Sequence, residues 1–328
     1  MPTNLPPDYL KIEKRYKSAT SQSEKIAILE EMMAVVPKHK GTDKLRADLR
    51  KRISKLKAVP QGKKNKAKTE SAYLISREGG GQVAVIGPPN VGKSALVGVL
   101  TNANPEVSSF PHSTWTPLPA MLMHRDIQIQ LIDTPPISEE YIMHELFDLI
   151  RRVDLILLMV DVEADPFSQL EMTRVILEQH KIAPLRLKER YDEPRGMAFV
   201  PIQVVLNKND NEETNENVEI FYELVEGDWP ATAISAESGR NMETLKEVIF
   251  SRLEIIRVYS KTPGKPCDMK APFVLKNNST VEEFALKVHQ DFAEKLKHAR
   301  IWRAGGFEGQ MVQRDHILHD GDIVELNI

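Results

Sequence analysis

Between residues 81 and 256, short β-branched and aliphatic runs alternate with stretches of helical periodicity, and this constrains the fold more than any other feature. The runs are 83–86, 127–132, 155–160, 202–206 and 231–234. Runs this apolar are buried on both faces, so the alternation predicts a mostly parallel sheet with helices on both sides. At the end of the first run stands Gly87-Pro88-Pro89-Asn90-Val91-Gly92-Lys93-Ser94. It matches G-x-x-x-x-G-K-[ST] in the strand-to-helix context that this phosphate-binding motif needs. The glycines let backbone N–H groups face an anion with no Cβ in the way, and the helix N-terminus adds its dipole. Lys93 is expected to reach β- and γ-phosphates and Ser94 to hold Mg²⁺. Gly87, Asn90, Val91, Gly92, Lys93, Ser94 and Ala95 form the expected phosphate-side set.

Further candidates stand at the ends of later runs. Asp133 follows 127–132, where a P-loop protein keeps its Mg²⁺-side carboxylate. Asn207-Lys208-Asn209-Asp210 follows 202–206 and resembles the N-K-x-D motif of GTPases. Asp210 is placed to accept the N1–H and N2–H of guanine. Adenine lacks that donor pair and would leave a carboxylate unpaired. Asn207 is expected to tie this loop to the phosphate loop, and Lys208 to lie along the base plane. Ser235-Ala236 follows the next run and resembles the fifth GTPase motif, in which a backbone N–H meets the guanine oxygen. Between Ser94 and Asp133, Phe110-Pro111-His112-Ser113-Thr114-Trp115-Thr116-Pro117 resembles the Y-P-F-T-T-x-x-P segment of Obg-related GTPases. Thr114 is the expected Mg²⁺-binding threonine, with Ser113 and Thr116 as alternatives. His112 reads as an exposed loop histidine.

The flanks differ in character. Ile26, Leu29, Met33 and Val36 form one apolar stripe, and Leu45, Leu49, Ile53 and Leu56 a second. Pro37 ends the first helix and Thr42 caps the next, which predicts an antiparallel hairpin. Residues 60–69 lack periodicity and read as linker. The net charge of −3 hides an asymmetry: residues 38–68 hold 13 Lys/Arg against 2 Asp, a balance of +11 that leaves −14 on the rest. Such a block suits a polyanion partner. A solvated helix face followed by a linker would give the same charge run. Beyond residue 257, strands at 257–259, 273–275 and 323–326 and a helix over 280–296 predict a small α+β domain. Trp302 is expected in its core rather than stacked on an RNA base. His316 and His319 lack a third ligand and read as surface residues. The longest near-apolar run, 155–160, is far shorter than the ~20 residues of a membrane helix. The first residues do not read as a secretion signal. Cys267 is the only cysteine, which excludes an internal disulfide and multi-cysteine zinc patterns. The expected compartment is the cytoplasm.

With these motifs in hand, the chain resembles GTPases of the Obg–HflX superfamily. It is most similar to developmentally regulated GTP-binding (DRG) proteins with a C-terminal TGS domain. The TGS resemblance lies in Arg257-Val258-Tyr259-Ser260-Lys261, Ser279-Thr280-Val281-Glu282-Glu283-Phe284 and Asp320-Gly321-Asp322-Ile323-Val324. The implied architecture is an α/β P-loop GTPase domain with a mostly parallel sheet, an N-terminal helical hairpin and a C-terminal β-grasp (TGS) domain. Its expected divisions are a basic hairpin at 1–59, a linker at 60–80, the GTPase domain at 81–256 and the TGS domain at 257–328. The resemblance implies hydrolysis of GTP to GDP with Mg²⁺ held by Ser94, Thr114 and Asp133. It also implies contact with a ribosome or other RNA through residues 38–68 and the TGS domain, and no membrane partner. Lys93, Asn90 and Thr114 are the implied catalytic residues. Asn90 resembles the P-loop asparagine of GTPases that use K⁺, whose charge would do the work of an arginine finger.

Two departures matter. Asp133-Thr134-Pro135-Pro136 replaces D-x-x-G, and proline has no N–H to offer a γ-phosphate. Either the N–H of Ile137 substitutes, or the second switch senses the γ-phosphate poorly. The latter would make the chain a weakly hydrolysing GTP-binding scaffold. Ile137 also stands where a catalytic glutamine would fall, and this family places a hydrophobic residue there. The other departure is length: only 45 residues separate Asp161 from Asn207, too few for the domain that eukaryotic DRG proteins insert there. An ATP-dependent enzyme is the third reading.

Overall fold

Strand β1 (Gln82–Ile86) is buried along its whole length and alternates its side chains between two cores. Ala84 and Ile86 enter one, Val83 and Val85 the other. That double burial is what a central parallel strand requires. The computed structural model describes residues 72–101, 116–138, 143–191, 195–225, 227–267, 269–303 and 307–328, with Ile28, Leu29 and Met32. Contacts divide the chain into two units, 1–68 and 69–328. In the first unit Ile28, Leu29 and Met32 are helical and buried. The rest of the expected basic hairpin lies outside the described residues.

The second unit continues with helix α1 (Lys93–Thr101), the hairpin β2 (Leu118–His124) and β3 (Ile127–Asp133), α2 (His144–Ile150), β4 (Leu155–Asp161) and α3 (Pro166–Gln179). Next come β5 (Ile182–Pro184), a 3₁₀ turn over Leu185–Arg190, β6 (Ala198–Val200), β7 (Ile202–Asn207), α4 (Glu212–Leu224), β8 (Ala231–Ala233) and α5 (Met242–Arg252). Six strands form one sheet in the order β2-β3-β1-β4-β7-β8. All pair in parallel except β2 with β3. Helices α2, α3 and α4 cover one face and α1 and α5 the other. The short parallel pair β5–β6 stands apart from the main sheet and occupies part of the 45-residue interval.

A second sheet follows, built from β9 (Ile255–Ser260), β10 (Phe273–Lys276), β11 (His298–Arg303), β12 (Phe307–Val312) and β13 (Asp322–Asn327), with helices α6 (Val281–Val288) and α7 (Gln290–Lys295). Its order is β10-β9-β13-β11-β12. The core of this part gathers Val258, Phe284, Ala299, Ile301 and Val324. The link from α5 to β9 is two residues long, Leu253 and Glu254. Ile255 packs into the core of the first part and Ile256 into that of the second.

Several expectations change here. The single helix expected over 280–296 is broken at His289, whose backbone is extended (φ −172°, ψ 149°) and whose Nδ1 accepts the Asp291 N–H at 3.2 Å to start α7. The end of the expected linker is ordered instead: Tyr73 is 2% exposed in the first core, and the Gly80 N–H donates to Gln128 O at 2.7 Å. The expected boundary at 256/257 falls inside β9. Trp302 is half-buried rather than fully in the core. The Lys261 amine lies 4.4 Å from the centre of its ring, and a Cβ on Gly309 would come within 3.0 Å of that ring. Among the described residues no group of three His, Cys, Asp or Glu could hold a metal ion, and no helix is long and apolar enough to cross a membrane.

Candidate functional site

Strands β1, β3, β4, β7 and β8 run parallel, so their carboxyl ends share one edge of the sheet. After β1 the chain builds β3 on one side of it and then crosses to β4 on the other. A crevice opens at such a point, and the loop after β1 occupies it. Gly87 (φ +149°) passes so close to β4 that a Cβ would lie 2.4 Å from Met159 O. Gly92 (φ +91°) is pressed as tightly: its Cβ would lie 2.4 Å from Asn207 Nδ2. Asn90, exposed, is left-handed at φ +64°, a conformation asparagine tolerates. Val91 is buried beneath the loop and Ala95 half-buried in the first turn of α1.

Lys93 opens α1 and folds back over the loop. Its Nζ donates to Gly87 O at 3.0 Å and Pro88 O at 2.8 Å. Burial lowers its pKa to about 8, against the partial support of the Asp133 charge. Ser94 Oγ donates to Asp133 Oδ2 at 2.6 Å. Asp133 is 1% exposed, and its Oδ1 has no hydrogen-bond partner among the described residues. Burial raises the Asp133 pKa, opposed by the Ser94 hydrogen bond and the Lys93 charge. An orphaned buried carboxylate oxygen beside a hydroxyl is a donor set that fits a small hard cation such as Mg²⁺.

Next to it, Thr134 Oγ1 donates to Val85 O at 2.7 Å. The Ile137 N–H donates to Gly87 O at 3.0 Å, and the Ile137 side chain is buried. The N–H that was to replace the missing glycine is therefore held by the phosphate loop. Thr114, Ser113 and His112 lie outside the described residues, and Thr116 is exposed.

On the other side of the crevice, Asn207 is 3% exposed and bridges two loops. Its Nδ2 donates to Val91 O at 2.8 Å, and its Oδ1 accepts the Ala236 N–H at 3.0 Å. Lys208 is left-handed (φ +67°), and its amine pairs with Asp161 at the end of β4. Asp161 belongs to none of the motifs; its position at a strand end was the only available signal. Asn209 is buried: its Oδ1 accepts from Thr214 Oγ1 at 2.9 Å and its carbonyl from Arg240 at 3.2 Å. Asp210 is thereby held at the rim, exposed and without hydrogen bond or ion pair among the described residues. Ser235 is buried, and its Oγ accepts the Ser238 N–H at 2.9 Å.

This geometry matches what comparison with known proteins returns. Residues 82–208 match the family described as 50S ribosome-binding GTPase, and residues 256–327 match the TGS domain. The GTP-binding protein MJ1326 of Methanocaldococcus jannaschii is 28% identical over 362 aligned positions, covering 93% of this chain and 92% of that protein. Developmentally-regulated GTP-binding protein 1 of Xenopus laevis is 25% identical, covering 92% of this chain and 98% of its own length. Guanylate binding protein 128up of Drosophila melanogaster shows the same identity and the same two coverages. The chain is thus a GTP-binding protein that joins a P-loop GTPase domain of the 50S ribosome-binding type to a TGS domain, with DRG proteins among its nearly full-length relatives.

Proposed function

We propose that this protein hydrolyses GTP to GDP and phosphate, and that the bound nucleotide controls its attachment to a ribosome or other RNA. The observation that carries this is the gathering of Lys93, Ser94 and Asp133 on one side of a crevice and Asp210 on the other, with Asn207 linking the two. Backbone N–H groups from Gly87 to Ala95 and the Lys93 amine hold the phosphates. Ser94, Asp133 and Thr114 would hold Mg²⁺, whose charge would offset that of the phosphates. Asp210 accepts the guanine N1–H and N2–H. Lys208, its amine fixed by Asp161, lays its aliphatic stem along the base. Ser235 and Ala236 close the pocket on the guanine oxygen side. Asn90 would help hold a K⁺, whose charge would do the work of an arginine finger. Residues 38–68, at +11, and the TGS domain make the RNA contacts.

A second reading, a scaffold that binds GTP and turns it over weakly, is favoured by one observation. Pro135 and Pro136 carry no N–H, and the N–H of Ile137 is already given to Gly87 O. One experiment separates the two: GTP turnover by the full-length protein in K⁺ or Na⁺ buffer, with and without ribosomes. The primary reading expects turnover that ribosomes stimulate and Na⁺ lowers. Bound GTP that stays intact in every condition establishes the scaffold instead.

A further inference from the structure

The β2–β3 hairpin has one end in the nucleotide crevice and the other against the TGS domain. At the open end Leu118 pairs with Asp133 in the ladder, and Leu118 directly follows the segment that carries the first-switch candidates. At the turn stand Arg125 and Asp126, about 20 Å away along the seven residues of β3.

The turn is gripped from the TGS side. Arg257 Nη1 on β9 donates to Asp126 Oδ1 at 2.8 Å, and the Tyr259 hydroxyl donates to Asp126 Oδ2. Arg257 also donates to both oxygens of Asp320, from Nε at 3.0 Å and Nη2 at 2.8 Å, and its side chain is only 15% exposed. Arg125 reaches Asp320 at 3.3 Å and Glu247 on α5 at 2.8 Å. Val274 of β10 packs against the core that holds Ile127, the first residue of β3. Gly80 leaves the room for this: a Cβ there would lie 3.2 Å from Val274 Cγ1 and 3.4 Å from Ile127 Cδ1. Burial works against the Asp126 carboxylate, but the hydrogen bonds from Tyr259 and Arg257 outweigh it and hold its pKa below the usual range.

The sheet register connects this contact to the site. β1 supports β3 only from Gln130 to Asp133. Ahead of β1 the chain leading into it takes over the support: Gly79 bridges Ile129, the Gly80 N–H donates to Gln128 O at 2.7 Å and the Gln130 N–H donates to Gly81 O at 2.9 Å, while β2 joins the sheet only through β3. The hairpin thus runs as one continuous two-stranded ladder from the turn held at Asp126 to Asp133 in the crevice.

We propose that this hairpin is a lever between the domains: by holding Asp126, the positioning residues Arg257 and Tyr259 set the placement of Asp133 and Leu118, and with it the preference of the site for GTP over GDP. The proposal rests on the nucleotide-site reading above. By linkage the effect runs both ways, so exchanging GDP for GTP must alter the strength of the TGS contact.

The test measures affinities of the full chain for fluorescent GDP and a non-hydrolysable GTP analogue. Arg257→Ala is expected to change the ratio of the two dissociation constants by about fivefold or more. Arg257→Lys should recover part of the change, and Tyr259→Phe, which removes a single hydroxyl, should shift the ratio the same way by less. Hydrogen exchange of residues 255–260 in the wild type should differ between the two nucleotides. If the wild type discriminates between the nucleotides and both Arg257→Lys and Tyr259→Phe keep its ratio, the lever is overturned while the site reading stands. A wild type that binds both nucleotides equally overturns the lever as well. Failure to bind guanine nucleotide at all overturns both.

Discussion

Lys93 holds its charge in a place that disfavours it, and this gives the site a pH dependence of known sign. Burial brings its pKa down to about 8, so the amine loses its proton as pH rises through that value, and the charged form is the one that attracts phosphate. GDP affinity should be level below about pH 7 and fall above pH 8, by up to about tenfold per unit. Binding near pH 8.5 should take up protons, which calorimetry in two buffers of different ionisation enthalpy reads directly. Level affinity with no proton uptake across this range would show that Lys93 does not meet the phosphates. Asp210 gives a second expectation. Asp210→Asn should weaken GTP by about 3 kcal/mol, roughly a hundredfold, and leave ATP unchanged in competition. Both residues were legible in the sequence because each sits in a short local motif. The partners of Asp161 and of the Ile137 N–H were not, since they lie far along the chain: Lys208 is 47 residues from Asp161, and Gly87 lies on another loop.

At the scale of elements, the apolar runs that mark β1, β4 and β7 are buried on both faces, while the run at β8 is only half-buried. The hairpin strand β2 escaped the sequence reading. Its sequence, Leu-Pro-Ala-Met-Leu-Met-His, is poor in β-branched residues and contains Pro119, tolerated because β2 lies at the edge of its sheet. The break at His289 escaped for the opposite reason: an amphipathic pattern runs on through it. Helix α4 shows what a local signal does fix. Asn211 caps it by accepting the Thr214 N–H at 2.9 Å, while Thr214 Oγ1 accepts the Asn211 N–H at 3.2 Å. Asn211→Ala should cost about 1 kcal/mol in urea unfolding. Because α4 follows the guanine loop directly, fraying there should also raise the GDP dissociation rate. Loss of stability with an unaltered dissociation rate would separate the cap from the site.

At the scale of the molecule, the charge asymmetry makes the clearest expectation. Deleting residues 1–69 removes the whole +11 block. Ribosome or RNA affinity should fall, and the slope of log affinity against log salt should become shallower. An unchanged slope would assign the contact elsewhere. The joint between the two domains carries a different consequence. Ile255 and Ile256 are neighbours, about 5% and 4% exposed, each seated in a different core. Turning one domain against the other would pull one of them out, at a cost of roughly 1.5–3 kcal/mol for each side chain exposed. Thermal energy near 0.6 kcal/mol does not supply that often. The usual means by which a multidomain machine articulates, a swinging hinge, is therefore missing at this joint. The two domains meet at a packed seam, so any signal between them passes through contacts that hold rather than through a joint that swings.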